Sequence, residues 1–393
     1  MRIGIVLPSI PAYSETFFTN KIKGLEAKGH TVLLFVNNSN NQENISLEIK
    51  KAPVLEGNTI QVSMVSFYLL VLSLLFHFKT SKRLYKLDRK DGIGFFQCIK
   101  NIVSNHHIIS ESLDWLHFGF GTMVFNRENV ARAIGAKMAI SFRGFDIGIY
   151  PLKNPDCYQK LWDKVDKIHV ISNDIKDLVF KNGFMGNKEI IKITPAIDTS
   201  FFANDKECNF SKENKLITIA RLHWKKGLVY TLEALALLKK EGISFHYTII
   251  GDGVELERLK FAAYQLGISN QVTFMGKIEH ELIKKKLMEA DLYLQYSIQE
   301  GFCNAVLEAQ AMGLLCVVSD AEGLPENINN KETGWVVPKC NAKELANKIK
   351  EVIHLPEAEK NSIINKAKER VSIHFTIKQQ QEQFVEFYNN EVI

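Results

Sequence analysis

No two cysteines in this chain are spaced as a CxxC pair, and no histidine stands at zinc-ligand spacing from one. The six cysteines, at positions 98, 157, 208, 303, 316 and 340, are scattered through 393 residues. Such usage speaks against a disulfide framework or a zinc site and for reduced thiols in a cytoplasmic protein. An Asp-x-Asp pair is missing too, so the usual carboxylate grip on a divalent metal has no sequence counterpart. Low-complexity tracts and short-period repeats are absent, which sets aside disordered and fibrous classes. Neither sign of charge dominates: 49 Lys and Arg against 44 Asp and Glu leave +5. That balance suits anionic small ligands or an anionic membrane face and is too mild to indicate nucleic acid. The start, MRIGIVLPS, reads as a strand with no apolar h-region behind it, so no signal peptide is expected.

The residues present describe an ordinary folded protein, 46% apolar and 24% charged. A chain of this length is more than one core normally serves, and two domains are expected. RIGIVLPS is a continuous apolar run, typical of a strand buried on both faces. SETFFTNKIKGLEAKGH follows with Phe18, Ile22 and Leu25 at helical spacing, then TVLLFVNN as a second strand. This βαβ unit calls for a parallel sheet. LDWLHF, AKMAISFRG, KIHVIS and EIIKIT continue the series. Around ITPAIDTSFFANDKECNFSKENK the periodicity stops, marking a linker. A second series then begins with KLITIAR, FHYTIIGDG, QVTFMGK, DLYLQYS, LLCVVSD and GWVVP. The expectation is an α/β chain with domains at 1–198 and 199–374. A tail helix in 375–393, with Phe384, Phe387, Tyr388 and Val392 on one face, would pack back on the first domain.

One stretch disturbs that pattern. Residues 60–78, IQVSMVSFYLLVLSLLFHF, are nearly all apolar and close to the length of a membrane span. Ser63, Ser66, Ser73 and His77 fall within roughly 80° on a helical wheel. KTSKRLYKLDRK follows, with six Lys or Arg against one Asp. Three placements fit: a helix buried in the first domain, a helix lying in the membrane interface with basic residues on lipid phosphate, or a true span. A span would part the first βαβ unit from the rest of its sheet.

In open parallel sheets ligands bind beyond the carboxyl ends of the strands. Arg221, His223, Lys225, Lys226 and Gly227 follow one strand here, and Gly251, Asp252 and Gly253 the next. EGFCNAVLEAQAMG follows DLYLQYS, and AEGLPENI follows LLCVVSD. Arg221 and Lys226 suit a diphosphate. A helix opening near Asn304 would offer the N–H groups of Ala305 and Val306 to an anion. Glu308, one turn deeper, could take two vicinal ribose hydroxyls, and Glu300 a sugar hydroxyl beyond the phosphates. Together these residues bracket a nucleoside diphosphate-sugar.

EGFCNAVLEAQAMGLLCVVSDAEGLPENI also resembles the E-x7-E region of the retaining glycosyltransferases of family 4. The likeness runs through ARLHWKKGLVYTLEAL, IIGDGVELERLK and KETGWVVP, and in the first half through PSIPAYSETFFTNKIKGLEAKGHTV, LHFGFG, SFRGFDI and TPAIDTSFF. The resemblance implies the GT-B fold, two doubly wound Rossmann-like domains facing across a cleft. It implies transfer from a UDP- or GDP-linked sugar to a lipid-linked or oligosaccharide acceptor, as in colanic-acid-type exopolysaccharide or lipopolysaccharide assembly. Neither cofactor nor metal is implied, and location is cytoplasmic or peripheral on the inner membrane face, with contact through 60–90. Arg221, Lys226 and Glu300 would be catalytic, joined by His117 and Arg143. Glu308, Gly301, Phe302, Asn304, Ala305, Val306, Gly251, Gly253, Glu15 and Thr16 would hold the donor, beside Ser14 and the Leu324–Pro325–Glu326 loop. Gly144 and Asp146 would serve the acceptor. Many relatives carry His where Arg143 stands, and an arginine cannot carry protons near neutral pH. A nucleotide-sugar 2-epimerase and a non-catalytic nucleotide-sugar-binding subunit share the architecture.

Overall fold

The computed structural model describes residues 1–11, 16–38, 47–55, 57–204 and 213–389. The chain divides into two compact units, one of Met1–Ile193 with Gln381–Ile393, the other Thr194–Gln380. Each is a parallel sheet flanked by helices.

The first unit holds seven strands: β1 (Arg2–Ser9), β2 (Thr31–Asn38), β3 (Glu48–Lys51), β4 (Trp115–Phe118), β5 (Lys137–Phe142), β6 (Lys167–Val170) and β7 (Glu189–Lys192). Their order is β3-β2-β1-β4-β5-β6-β7, every pair parallel. Ile3, Ile5, Leu7, Leu34 and Val36 are sealed in the core, as uninterrupted apolar strands covered on both faces require. Sequence periodicity did not announce β3. Its four residues, EIKK, form a partly exposed edge strand, and edges carry polar residues that blunt further pairing.

Helix α1 (Thr16–Ala27) closes the first crossover. Four helices, α2 (Thr59–Phe76), α3 (Phe78–Lys90), α4 (Phe95–Ser104) and the short α5 (His106–Ile109), lie in the long connection from β3 to β4. The C-terminal helix Ile377–Asn389 gives its second half to this unit, with Phe384, Phe387 and Tyr388 buried beside Trp115. Val392 lies outside the described residues.

The second unit holds β8 (Asn214–Ile219), β9 (Phe245–Ile250), β10 (Val272–Gly276), β11 (Leu292–Gln295), β12 (Leu315–Ser319) and β13 (Trp335–Val337). Their order, β10-β9-β8-β11-β12-β13, reverses direction between β8 and β11. Such a reversal opens a crevice at the strand ends, where ligands bind in open sheets. Residues 194–198, read above as the tail of the first domain, belong to this unit. The Ile197 N–H donates to the Phe375 carbonyl (3.0 Å), which ties them to the approach to the C-terminal helix.

Candidate functional site

The carboxyl end of β8 runs into a loop that can only exist with glycines opposite it. A side chain on Gly251 would place its Cβ 2.0 Å from the Ala220 oxygen, and one on Gly253 would come within 2.3 Å of the Leu222 oxygen. These two therefore lace the Arg221 loop to the loop after β9. The Leu222 N–H donates to the Asp252 carbonyl (2.9 Å), and the Glu255 N–H to that of Leu222 (3.1 Å). Gly227 does the same toward β11: its backbone is left-handed (φ 60°), and a Cβ would sit 2.1 Å from the Tyr296 oxygen. All three glycines fix where Arg221 and Lys226 stand.

Lys226 forms an ion pair with Glu300, and both side chains are only 15% exposed. Burial works against the Lys226 charge, but the adjacent Glu300 carboxylate outweighs it and holds the amine above the usual lysine range. The sequence assigned one of these groups to phosphate and the other to sugar. In this structure each is the other's partner, as two opposite charges sharing a half-dry site require. Arg221 is exposed, and its guanidinium has no partner among the described residues.

Glu300 is also steadied from below. Tyr293 donates its hydroxyl to Gln295 Oε1 (2.9 Å), Gln295 Nε2 donates to Ser297 Oγ (2.9 Å), and Ser297 Oγ donates to Glu300 (3.3 Å). Sequence reasoning missed this ladder. Its signal was present: Tyr293, Gln295 and Ser297 fall at i, i+2 and i+4, along the buried strand β11 and just past its end.

The helix Asn304–Ala311 opens where the sequence placed it, with Cys303 at the cap position and no capping side chain on its first turn. Its mouth is held by Asn327, another residue not singled out from sequence. Asn327 Oδ1 accepts from the Cys303 N–H (3.1 Å), and Asn327 Nδ2 donates to the Cys303 carbonyl (2.9 Å). Arg370 in turn donates to the carbonyls of Glu326 (2.7 Å) and Asn327 (2.9 Å). The Gly323 N–H donates to the Glu300 carbonyl (3.0 Å), tying the Leu324–Pro325–Glu326 turn to Gly301 and its neighbours. Phe302 is turned inward, its ring 5.8 Å from that of Phe375, and shapes the loop as packing. Val306 is likewise fully buried, while Ala305 and Asn304 are half-buried.

The Glu308 carboxylate accepts no hydrogen bond among the described residues, and burial raises it to about 7. Glu300, Lys226 and Glu308 all act on the buried Cys303 thiol, which burial and Glu300 push up to about 12. Lys226 feels Arg221 as well. The two glutamates and two cations therefore form one electrostatic neighbourhood, with hydrogen-bonding capacity left on Arg221 and Glu308. Such a set can take a diphosphate on its cations and helix mouth, and a diol on its open carboxylate.

The first unit treats its candidates differently. His117, expected among the catalytic residues, lies inside β4 with no exposed surface. Its Nδ1 meets Lys21 Nζ (3.0 Å) and the Tyr388 hydroxyl (2.5 Å), and its Nε2 meets the Ser141 hydroxyl (2.7 Å). Burial, reinforced by Lys21 and His169, keeps the ring well below the usual histidine range and therefore neutral. This histidine fastens the sheet to the C-terminal helix and presents no exposed surface. Asp146, expected on the acceptor side, is also buried and accepts from the N–H groups of Gly121 (2.9 Å), Arg143 (2.9 Å) and Gly144 (3.0 Å). Burial still leaves the carboxyl above the usual range despite those donors. It is a staple for the loop carrying Gly144. Arg143 lies half-buried with its guanidinium 4.1 Å over the Phe17 ring and 4.8 Å over Phe18, a cation–π seat. Thr16 is the first residue of α1. Ser14 and Glu15 lie outside the described residues.

Residues 201–370 match the family described as "Glycosyl transferases group 1". The chain is 29% identical over 269 residues, 66% of each protein, to the putative colanic acid biosynthesis glycosyltransferase WcaL of Escherichia coli K12. It is 29% identical over 254 residues, 62% of each, to the amylovoran biosynthesis glycosyltransferase AmsK of Erwinia amylovora. The matched stretch thus spans just under two thirds of these relatives' length. Among solved structures, a glycosyltransferase from Rickettsia africae ESF-5 superposes with a TM-score of 0.72 at 19% identity, covering 98% of this chain and 97% of that one. Anabaena HepE in complex with UDP-glucose superposes with a TM-score of 0.72 at 15% identity, covering 98% and 99%. The fold is therefore the two-domain, Rossmann-like α/β fold of GT-B proteins.

Proposed function

We propose that this chain, whose residues 201–370 form a group 1 glycosyl transferase domain, transfers a sugar from a nucleoside diphosphate-sugar to a hydroxyl of a saccharide acceptor in cell-surface polysaccharide assembly. The observation that supports it most is the half-buried Lys226–Glu300 pair beside an Arg221 guanidinium and a Glu308 carboxylate that have no hydrogen-bond partner among the described residues. A donor entering this site would replace Glu300 as the partner of Lys226: the diphosphate takes the cations, and the freed carboxylate accepts from a sugar hydroxyl. Glu308 would hold the ribose.

As the glycosidic bond breaks, the anomeric carbon becomes oxocarbenium-like and the diphosphate gains charge. Arg221, Lys226 and the amides at the mouth of helix Asn304–Ala311 are fixed donors for that charge, where preorganised donors count most. We assign retention of configuration, by attack on the face the diphosphate leaves, with a phosphate oxygen taking the acceptor proton. The same cations serve where a divalent metal would otherwise neutralise the leaving group. The acceptor side is assigned to the first unit, and the location to the cytoplasm.

The test is incubation of the full chain with UDP- and GDP-sugars, following slow donor hydrolysis and the anomer released by NMR. Release of free sugar as the donor's own anomer supports the reading. An unchanged donor for every sugar that binds would indicate a nucleotide-sugar-binding subunit. Conversion of the donor to its 2-epimer without transfer would indicate an epimerase.

A further inference from the structure

α2 is folded inside out. Its row Val62, Ser66, Leu69, Ser73 and His77 turns toward the protein, and Ser73 is the helix's sole buried residue. Ser73 Oγ meets His106 Nδ1 (2.8 Å), and the Ser73 carbonyl accepts from Ser81 Oγ (3.2 Å). The opposite row is apolar and open: Ile60, Met64, Phe67 and Leu75 are all about 70% exposed, and Tyr68 is 61% exposed. In water a helix buries its apolar face and exposes its serines. This one buries Ser73 and half-buries Ser66 while an apolar row stays open along its 18 residues, roughly 27 Å at 1.5 Å per residue. An apolar patch of that extent on a soluble surface marks a site of contact. Phe78, Phe95 and Phe96 extend it, the last 80% exposed.

The neighbouring helix identifies the partner by charge. α3 carries Lys79, Lys82, Arg83, Lys86, Arg89 and Lys90, all exposed. Asp88, its single acid, is turned inward, where its carboxylate accepts from Asn101 Nδ2 (2.8 Å) and Asn129 Nδ2 (2.9 Å). The outward face of α3 is thus purely cationic beside a purely apolar row. We propose that α2 lies in the interface of a membrane leaflet containing anionic phospholipid, its Ile60–Met64–Phe67–Leu75 row in the acyl boundary and the α3 cations on lipid phosphate.

Topology decides between lying on the bilayer and crossing it. β3 precedes α2 and β4 follows the α2–α4 segment, and both belong to one sheet in the order β3-β2-β1-β4. A single crossing would carry β4 to the far side of the bilayer from its partner β1. The helix therefore rests in the plane of the interface. Of the three placements left open by the sequence, burial is excluded because the apolar row is exposed, and spanning is excluded by the sheet.

This inference is independent of sugar transfer, since binding to lipid needs no donor. The test is flotation of the full chain with phosphatidylcholine vesicles, with and without phosphatidylglycerol and free of any lipid-linked saccharide. The parent should float with the anionic vesicles and be released as salt screens the α3 charges. Phe67→Ser with Leu75→Ser should lower the floated fraction about tenfold or more. Lys82→Glu with Lys86→Glu should abolish the preference for anionic lipid. Both variants change exposed side chains and should keep the parent's circular dichroism and melting. A parent that stays unbound with anionic vesicles overturns the proposal, as does a Phe67/Leu75 variant that floats like the parent. So does a parent dimer that the Phe67/Leu75 variant dissolves and that vesicles do not take up, which would make a second copy the occupant.

Discussion

The two units of this chain carry comparable stocks of polar residues near their strand ends and use them in opposite ways. In the first unit the promising groups are consumed by the fold: Asp146 by three backbone N–H groups, His117 by Lys21, Ser141 and Tyr388. In the second unit Arg221 and Glu308 keep side-chain hydrogen-bonding capacity among the described residues, and Lys226 pairs with a Glu300 that Ser297 alone helps to hold. A buried polar group must find partners. Where the fold supplies them, the group's capacity is used up; where it does not, capacity remains that a ligand could take.

That contrast is open to attack from both sides. The largest effect should come from Asp146→Ala, which strands three backbone donors and should cost about 3–5 kcal/mol of stability by chemical denaturation. A variant within about 1 kcal/mol of the parent would show that the loop does not depend on this staple. Lys226→Ala should do the reverse, with a fold close to the parent's but donor turnover reduced about 10²–10³-fold, or about 3–4 kcal/mol in barrier. Near-normal turnover would remove the cation from the proposed chemistry. Asn327→Ala should lie between, losing about 2 kcal/mol through the two bonds to Cys303 and lowering kcat more than it alters KM. Asn327→Asp keeps the acceptor for the Cys303 N–H and should recover part of the rate, which a merely space-filling side chain would not.

The parallel sheets were legible because strands buried on both faces leave unbroken apolar runs, and RIGIVLPS, TVLLFVNN and LLCVVSD are such runs. The edge strand EIKK was not, since an edge is chosen for polarity. The glycines of GDG were read as ligand-approaching, and the structure gives them a prior duty: they make room for the carbonyls of Ala220 and Leu222. His117 misled because one polar residue in WLHF looks the same whether it ends a strand or is sealed within it. Only the long-range arrival of Lys21 and Tyr388 distinguishes the two. Asn327 was invisible for the same reason, its partner Cys303 being 24 positions away. For α2 the serine stripe was legible and its direction was not, because periodicity fixes a face and leaves open which way it points.

Glu308 yields the smallest effect and the finest test, because two observables should move in opposite directions with pH. Its carboxyl is raised to about 7 in the folded chain, above the ordinary value of 4.5. Between those values the folded state binds more protons than the unfolded one, so stability falls as pH climbs through that window. Ligand binding reverses the preference. Ribose hydroxyls donate to an ionised carboxylate, so affinity for a nucleoside diphosphate should rise as pH passes about 7 and Glu308 loses its proton. Calorimetric titration of UDP and GDP from about pH 6 to about pH 8 should show up to about tenfold tightening, accompanied by proton release. Glu308→Gln should flatten both trends, binding weakly at every pH while losing the fall in melting temperature as pH rises through that window. The nucleotide's own phosphate ionisation contributes equally to parent and variant, so their difference isolates the carboxyl. Parallel binding curves for the two proteins would mean that Glu308 serves the fold alone, like Asp146, and the distinction between the units would end at Lys226.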